Sequence, residues 1–226
     1  MSKRYLRNMN ALSAIENEQL SKFKVFVAGC GGLGGYLIEE LGRLGIGQIT
    51  AVDGDVFDET NLNRQILATT DLVGHSKALS AKERMEAVNP EVTVTAIQTM
   101  ITEENCRKLI KDHDLVMDAL DDIEARMILE KYCEEEKIPM VHGAIAGWYG
   151  QVSAIYPGDR TIKKLYASGS AKGAEVELGN PPFIPAVIAS IQVAEGVKML
   201  FGRGNILQNK LLSVNLIDHE YEIFNL

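Results

Sequence analysis

The sequence is poor in cysteine, in net positive charge and in long apolar runs. Its three cysteines, Cys30, Cys106 and Cys133, make no even set and no metal-ligand spacing, so neither a disulfide framework nor a zinc site is expected. A reducing cytoplasm is the expected compartment. Lys and Arg number 23 against 31 Asp and Glu, a formal net charge of −8. Extended nucleic-acid binding needs a basic surface, so nucleic acid is not an expected partner, although a local basic pocket is compatible with the total. No stretch approaches about 18 uncharged apolar residues, and no membrane span is expected. The N-terminal octapeptide Met1–Asn8 lacks the apolar core of a signal peptide. No internal repeat or low-complexity tract is evident. What remains is ordinary for a soluble globular chain, 46% hydrophobic and 24% charged.

Against that background one segment stands out. Residues 29 to 34 read Gly-Cys-Gly-Gly-Leu-Gly, with Asp53 and Asp55 about twenty residues on. Ahead of the loop runs Lys24-Val25-Phe26-Val27-Ala28, short, apolar and β-branched, a buried strand. After it, Leu33, Leu37, Leu41 and Leu44 recur at helical spacing. Strand, tight glycine turn and helix make a phosphate-binding unit. Bare glycines (Gly29, Gly31, Gly32, Gly34) let the backbone approach an anion, and the helix N-terminus offers it unpaired N–H groups.

Apolar runs at Val25–Ala28, Ile49–Val52, Leu115–Met117 and Met140–Val141 alternate with helical patterns near 76–88 and 122–137. Val92–Ile97 reads as an extra strand. Such alternation predicts βαβ units, an α/β fold with a Rossmann-like, mostly parallel sheet and helices on both faces. The pattern then changes. Gln151–Tyr156, Leu212–Leu216 and Tyr221–Phe224 read as antiparallel additions, with a buried core helix over Ile184–Phe201 between them. Residues 157–183, opened by Pro157-Gly158, punctuated by Gly169, Gly173 and Gly179 and closed by Pro181-Pro182, read as a long crossover loop, a functional lid or partly disordered. The run Glu134-Glu135-Glu136 reads as a solvated helix end.

A lone glycine fingerprint also marks nicotinamide and flavin enzymes. The stretch that discriminates is Asp53-Gly54-Asp55, Asn61-Leu62-Asn63-Arg64-Gln65 and Gly74-His75-Ser76-Lys77. Arg64 and Lys77 beside one glycine loop suit more negative charge than a bridging pyrophosphate carries, such as a triphosphate. Taken singly, each cation reads as a surface residue; the combination points to the nucleotide. Asp118-Ala119-Leu120-Asp121-Asp122 ends an apolar run, at the sheet edge where open α/β folds bind ligands. Asp121 is the candidate carboxylate for Mg²⁺ against the phosphates, and Asp122 reads as a helix cap. Cys30, Cys106 and Cys133 read as inert. His142 reads as structural, His75 as an incidental surface residue, and His113 and His219 offer nothing beyond that.

Together these elements resemble the MoeB/ThiF/HesA family, the bacterial relatives of ubiquitin-activating enzymes. The resemblance is carried by Arg4-Tyr5-Leu6-Arg7-Asn8, Gly29–Gly34, Asp53-Gly54-Asp55, Asn61–Gln65, Gly74-x-x-Lys77 and Asp118-x-x-Asp121. Gly143-Ala144, Gly150-Gln151-Val152 and Ile191-Gln192-x-x-Glu195-x-x-Lys198 also match. It implies an adenylyltransferase that uses ATP and Mg²⁺ on the C-terminal Gly-Gly carboxylate of a small β-grasp, ubiquitin-like sulfur-carrier protein. By the same resemblance Asp53 binds ribose, Asn61 positions phosphate or sugar, Arg64 and Lys77 contact phosphates, and Asp121 holds the metal. Asp55 and Gln65 belong to the nucleotide-binding set, and Arg7 reaches the triphosphate of the other subunit of a homodimer. The implied layout is an N-terminal helical arm over 1–22, a nucleotide-binding half over 23–145, and a continuation of the same compact domain over 146–226.

Two features depart from the family. The Cys-x-x-Cys pairs that bind zinc in many relatives are absent, and so is a loop cysteine for a covalent intermediate, so the reaction is expected to stop at the adenylate. Trp148 and Tyr149 fit either the path of a Gly-Gly tail or a core or dimer contact. Three other readings stay open. One is adenylation of another carboxylate, such as one on a modified tRNA. Another is an NAD-dependent oxidoreductase, although no Tyr-x-x-x-Lys set is present. The last is a silent scaffold.

Overall fold

The computed structural model describes residues 2–167 and 175–226. Eight strands form one sheet in the order β3-β2-β1-β4-β5-β6-β7-β8. They are β1 (Lys24–Ala28), β2 (Gln48–Val52), β3 (Thr93–Ile97), β4 (Leu115–Asp118), β5 (Met140–Ala146), β6 (Tyr149–Ile155), β7 (Lys210–Asn215) and β8 (Glu220–Asn225). The strands from β3 to β5 pair in parallel, and β6, β7 and β8 are added antiparallel. The helices are α1 (Ala14–Leu20), α2 (Gly32–Leu44), α3 (Lys77–Val88), α4 (Cys106–Ile110), α5 (Ile123–Glu136), α6 (Thr161–Leu165), α7 (Glu175–Leu178) and α8 (Phe183–Phe201).

Two apolar cores follow from the period of the strands. In β1, Val25 and Val27 face the layer of α2, α3 and α8, while Phe26 and Ala28 face α4, α5 and α6. In β4, Leu115 and Met117 join the first core and Val116 the second. Successive side chains of a strand point to opposite faces, so a strand covered on both sides has to be apolar throughout. Val25 to Ala28 of β1 and Leu115 to Met117 of β4 follow that pattern, and the buried exception is Asp118 at the end of β4.

The expected helix over Ile184–Phe201 is α8, which packs on α2 and on β4, β5 and β6. By length and composition it is apolar enough to cross a membrane, with mean hydropathy 1.5. Here it carries the buried Gln192 and Glu195 and lies along the sheet. Its half-exposed outer face distinguishes it from a helix buried all round.

The expected crossover loop over 157–183 is corrected in part, because it holds two short helices, α6 and α7. Helix α6 forms because Glu130 of α5 reaches its first turn and accepts from Ile162 N at 2.6 Å and Lys163 N at 3.1 Å. Gly169 and Gly173 lie outside the described residues. His113 is also more than a surface residue. Its ring is hydrogen-bonded to Thr50 Oγ1 at 2.7 Å and packs edge-on against Phe26. The acidic end of α5 is not simply solvated either: Glu134 pairs with Arg160 and Glu136 with Arg107.

The N-terminal arm packs at the far end of α2 from the glycine loop. Asn8 Nδ2 donates to Leu44 O at 3.1 Å, Arg4 Nη1 to Val88 O at 2.7 Å, and Asn89 Nδ2 to the Tyr5 hydroxyl at 2.9 Å. Helix α1 begins with a reciprocal Ser13–Glu16 capping box. Glu16 also accepts from Arg203, just past α8, and these bonds hold its carboxyl down to about 2.

Candidate nucleotide-binding site

The carboxyl ends of β1, β2 and β4 converge on the turn that leads into α2. Gly29 has φ +94°, and a Cβ there would lie 2.7 Å from the Ala119 carbonyl oxygen. A Cβ at Gly34 would overlap the Gly29 carbonyl itself. These two glycines let the phosphate loop fold tightly and press against the turn after β4. The N-terminus of α2 has no side-chain cap, so its first amides stay available to an anion.

Asp53, at the end of β2, ties this loop to its neighbour strand. One carboxylate oxygen accepts from Cys30 N at 2.7 Å and the other from Asp55 N at 2.8 Å. Burial pushes its pKa up, while those two N–H groups and Lys77 pull against the shift. Each oxygen keeps a lone pair for a further donor. Cys30 is fully buried and its thiol is pushed well up by burial, as befits a packing residue.

Bridging contacts between Val56 and Ser76 and between Phe57 and Val73 fold the segment after β2 back onto the start of α3. That brings Lys77 to the sheet edge. Its Nζ lies 3.1 Å from Asp55 Oδ2, with the lysine buried and the carboxylate exposed. A short 3₁₀ turn over Glu59–Asn61 presents the next group. Buried Asn61 accepts from Asp58 N at 3.1 Å and its own carbonyl accepts from Gln65 N at 3.0 Å. Arg64 donates to Thr60 O and Asn63 Oδ1, and its stem would lie 3.9 Å from a Cβ on Gly32. The Gln65 amide faces Gly31, and its buried Oε1 has no hydrogen-bond partner among the described residues. Thus Gly29, Gly31, Gly32, Gly34, Asp53, Asp55, Asn61, Arg64, Gln65 and Lys77 gather around one loop.

The turn after β4 borders the same loop. Asp118 is fully buried, and Asp122 caps α5 by accepting from Ala125 N at 2.7 Å. Asp121 between them is exposed and makes no side-chain hydrogen bond or ion pair among the described residues. No group of three or more His, Cys, Asp and Glu side chains able to hold a metal ion occurs among the described residues.

Arg7 is not brought to this site. It is exposed in the arm, on the other side of thirteen-residue α2, a helix about 20 Å long at 1.5 Å per residue.

Sequence reasoning missed a buried polar cluster behind the turn, made of Asp118, Arg126, His142, Gln151 and Tyr166. Only His142 had been read as structural, and it is fully buried. The available signal was Arg126, which falls on the same helical stripe as Leu129, Glu130 and Cys133, all buried. Trp148 packs at a tilt against Phe183 with ring centroids 4.4 Å apart and stays half exposed.

The chain is similar to several known proteins. The chain is 32% identical over 207 residues to the SAMP-activating enzyme E1 of Haloferax volcanii, covering 90% of this chain and 77% of that one. It is 33% identical over 213 residues to the sulfur carrier protein adenylyltransferase of Thermus thermophilus, covering 90% and 79%. The molybdopterin-synthase adenylyltransferase of Escherichia coli is 30% identical over 200 residues, covering 86% and 80%. Among solved structures, Escherichia coli MccB with ATP superposes with TM-score 0.81 at 23% identity, covering 100% of this chain and 72% of that one, a likeness of fold. The Escherichia coli tRNA N6-threonylcarbamoyladenosine dehydratase superposes with TM-score 0.75 at 25% identity, covering 88% and 95%. The ThiF family model matches residues 5–226, a span that holds the glycine loop, Arg64, Lys77 and the turn after β4, and the chain belongs to the ThiF family.

Proposed function

We propose that this protein is an ATP-dependent adenylyltransferase that activates the C-terminal Gly-Gly carboxylate of a small ubiquitin-like sulfur-carrier protein. The observation that carries the reading is the placing of Arg64 and buried Lys77 on one glycine loop, in a chain whose relatives are named adenylyltransferases. The carrier's carboxylate oxygen attacks the α-phosphorus, the bond to the bridging oxygen breaks, and pyrophosphate leaves. An acyl-adenylate forms. Two anions have to meet, and each unit-charge repulsion at 4 Å is roughly 4 kcal/mol at an effective dielectric near 20. Arg64 and Lys77 offset that repulsion and stabilise the departing pyrophosphate. The α2 amides hold phosphate oxygens, Asp53 takes the ribose, and Asn61 and Gln65 orient the loop and its ligand.

Asp121 fits a magnesium ion. It is a hard oxygen donor with no partner among the described residues, beside the glycine loop, and Mg²⁺ in nucleotide sites takes one or two carboxylates plus phosphates. When bound, the ion would supply further charge neutralisation. The reading includes a homodimer in which Arg7 serves the other subunit's site, because its own site lies a full helix away. It also includes action in the cytoplasm.

The test is ATP–pyrophosphate exchange with a candidate carrier ending in Gly-Gly. Exchange dependent on the carrier's terminal glycines is expected; carrier-independent or absent exchange would defeat the proposal. The dehydratase neighbour favours a second reading, a carboxylate borne on a modified tRNA. The net charge of −8 counts against that polyanion, and tRNA-dependent exchange would decide for it.

A further inference from the structure

Asp121 has no side-chain partner among the described residues, so its place is inherited from the backbone before it. Both polar backbone groups of Leu120 are held by buried side chains. Its N–H donates to Asp118 Oδ1 at 3.0 Å, and its carbonyl accepts from Arg126 Nη2. Those two side chains are fixed in turn. Asp118 Oδ2 accepts from His142 Nδ1 at 2.7 Å, and His142 Nε2 accepts from Gln151 Nε2 at 3.1 Å. The same Gln151 nitrogen donates to the Tyr166 hydroxyl at 3.1 Å, which also accepts from Arg126 Nη1 at 2.9 Å. Arg126 Nε lies 3.6 Å from Asp118 Oδ2 and closes the ring.

The ring joins β4, α5, β5, β6 and the residue after α6, and Asp118 and His142 within it are wholly buried. Apolar side chains of similar volume would stabilise the fold about as well as a buried charged cluster. Stability alone therefore does not account for it. What distinguishes the ring is its target, since two of its five members hold the N–H and the carbonyl of the residue immediately before Asp121.

We propose that Asp118, His142, Gln151, Tyr166 and Arg126 form a positioning device for Asp121, with the Tyr166 hydroxyl as the member that couples it to the chain leaving α6. The inference rests on Asp121 facing a nucleotide-bound magnesium ion, as read above. A supporting shell of this kind matters because a metal carboxylate works only within about 0.5 Å of its productive geometry.

The test uses the full-length chain, ATP and MgCl₂, and needs no carrier. Calorimetric titration gives ATP affinity with and without magnesium, and the ratio is the magnesium increment. Tyr166→Phe removes the hydroxyl that Arg126 and Gln151 share. Its metal-free ATP affinity is expected to equal that of the wild type, and its magnesium increment to fall about 10-fold, the usual effect of removing an outer-shell partner. Gln151→Ala opens the same ring from the other side, gives the same expected loss, and serves if Tyr166→Phe fails to fold. In an Asp121→Asn background, Tyr166→Phe should change nothing further. An unchanged increment in both ring variants, or an additive loss in the double variant, would overturn the positioning role alone. A wild-type protein that binds no ATP would overturn this inference and the adenylyltransferase reading together.

Discussion

Lys77 Nζ lies 3.1 Å from Asp55 Oδ2, and the two ends of this pair occupy different surroundings: 9% of the lysine side chain is exposed and 61% of the carboxylate. The cation is set into the protein, and its partner is the exchangeable end. An incoming phosphate can take the place of a solvated carboxylate at little cost, since an exposed partner is already screened by water.

Lys77→Gln should therefore reduce carrier-dependent pyrophosphate exchange by about 10²–10³, the loss typical of a donor to transition-state charge. Asp55→Asn should change the same rate far less. Comparable losses in the two variants would mean that the ion pair, rather than the lysine, is what the site requires.

Gly34→Ala places a methyl group on the Gly29 carbonyl. A loss of about 1–3 kcal/mol in urea unfolding is expected for overpacking, with ATP binding abolished. Gly32→Ala is the contrast, because its nearest neighbours would be 3.7 Å away or more. That variant should keep its unfolding midpoint, and calorimetry should show only weakened ATP binding.

His142 gives stability a pH dependence of known sign. Burial lowers its pKa below the ordinary 6.5, against the opposing pull of Asp118. As pH falls below 6.5, the unfolded chain takes up a proton that the native chain refuses, so stability drops until the lower native value is passed. Urea midpoints at neutral and mildly acidic pH should show the decline, and His142→Asn should flatten it. An equal slope in the variant would assign the effect to other groups.

Arg7→Ala and Asp121→Ala proteins, each inactive alone, should recover activity when mixed if Arg7 serves the neighbouring subunit. A randomly mixed two-fold dimer restores roughly one quarter of the sites. Pyrophosphate exchange after co-refolding measures this, and no recovery would remove Arg7 from the trans role.

Much of this was legible in the residues. Apolar runs such as Val25–Ala28 and Leu115–Met117 became strands because they are buried on both faces, and the glycine spacing located the tight turn into α2. Asp122 capped its helix as read, and His75 is exposed. Other features were hidden because they depend on pairing across distant elements. Met140–Ala146 extends beyond the apolar Met140–Val141 core because Gly143 to Ala146 are paired by β6. Helix α6 exists through a carboxylate some thirty residues away in sequence. Tyr166 carries no local sign of meeting Arg126 and Gln151, and only the assembled sheet and its flanking helices bring them together.

Helix α2 is also a ruler. It fixes the separation between the phosphate loop at one end and the Tyr5–Asn89 and Asn8–Leu44 anchorage of the arm at the other. Inserting one helical turn would shift that anchorage by about 5.4 Å without disturbing the loop. On the proposed reading, such a variant would keep its nucleotide affinity and lose the activity that Arg7 supplies to the neighbouring subunit.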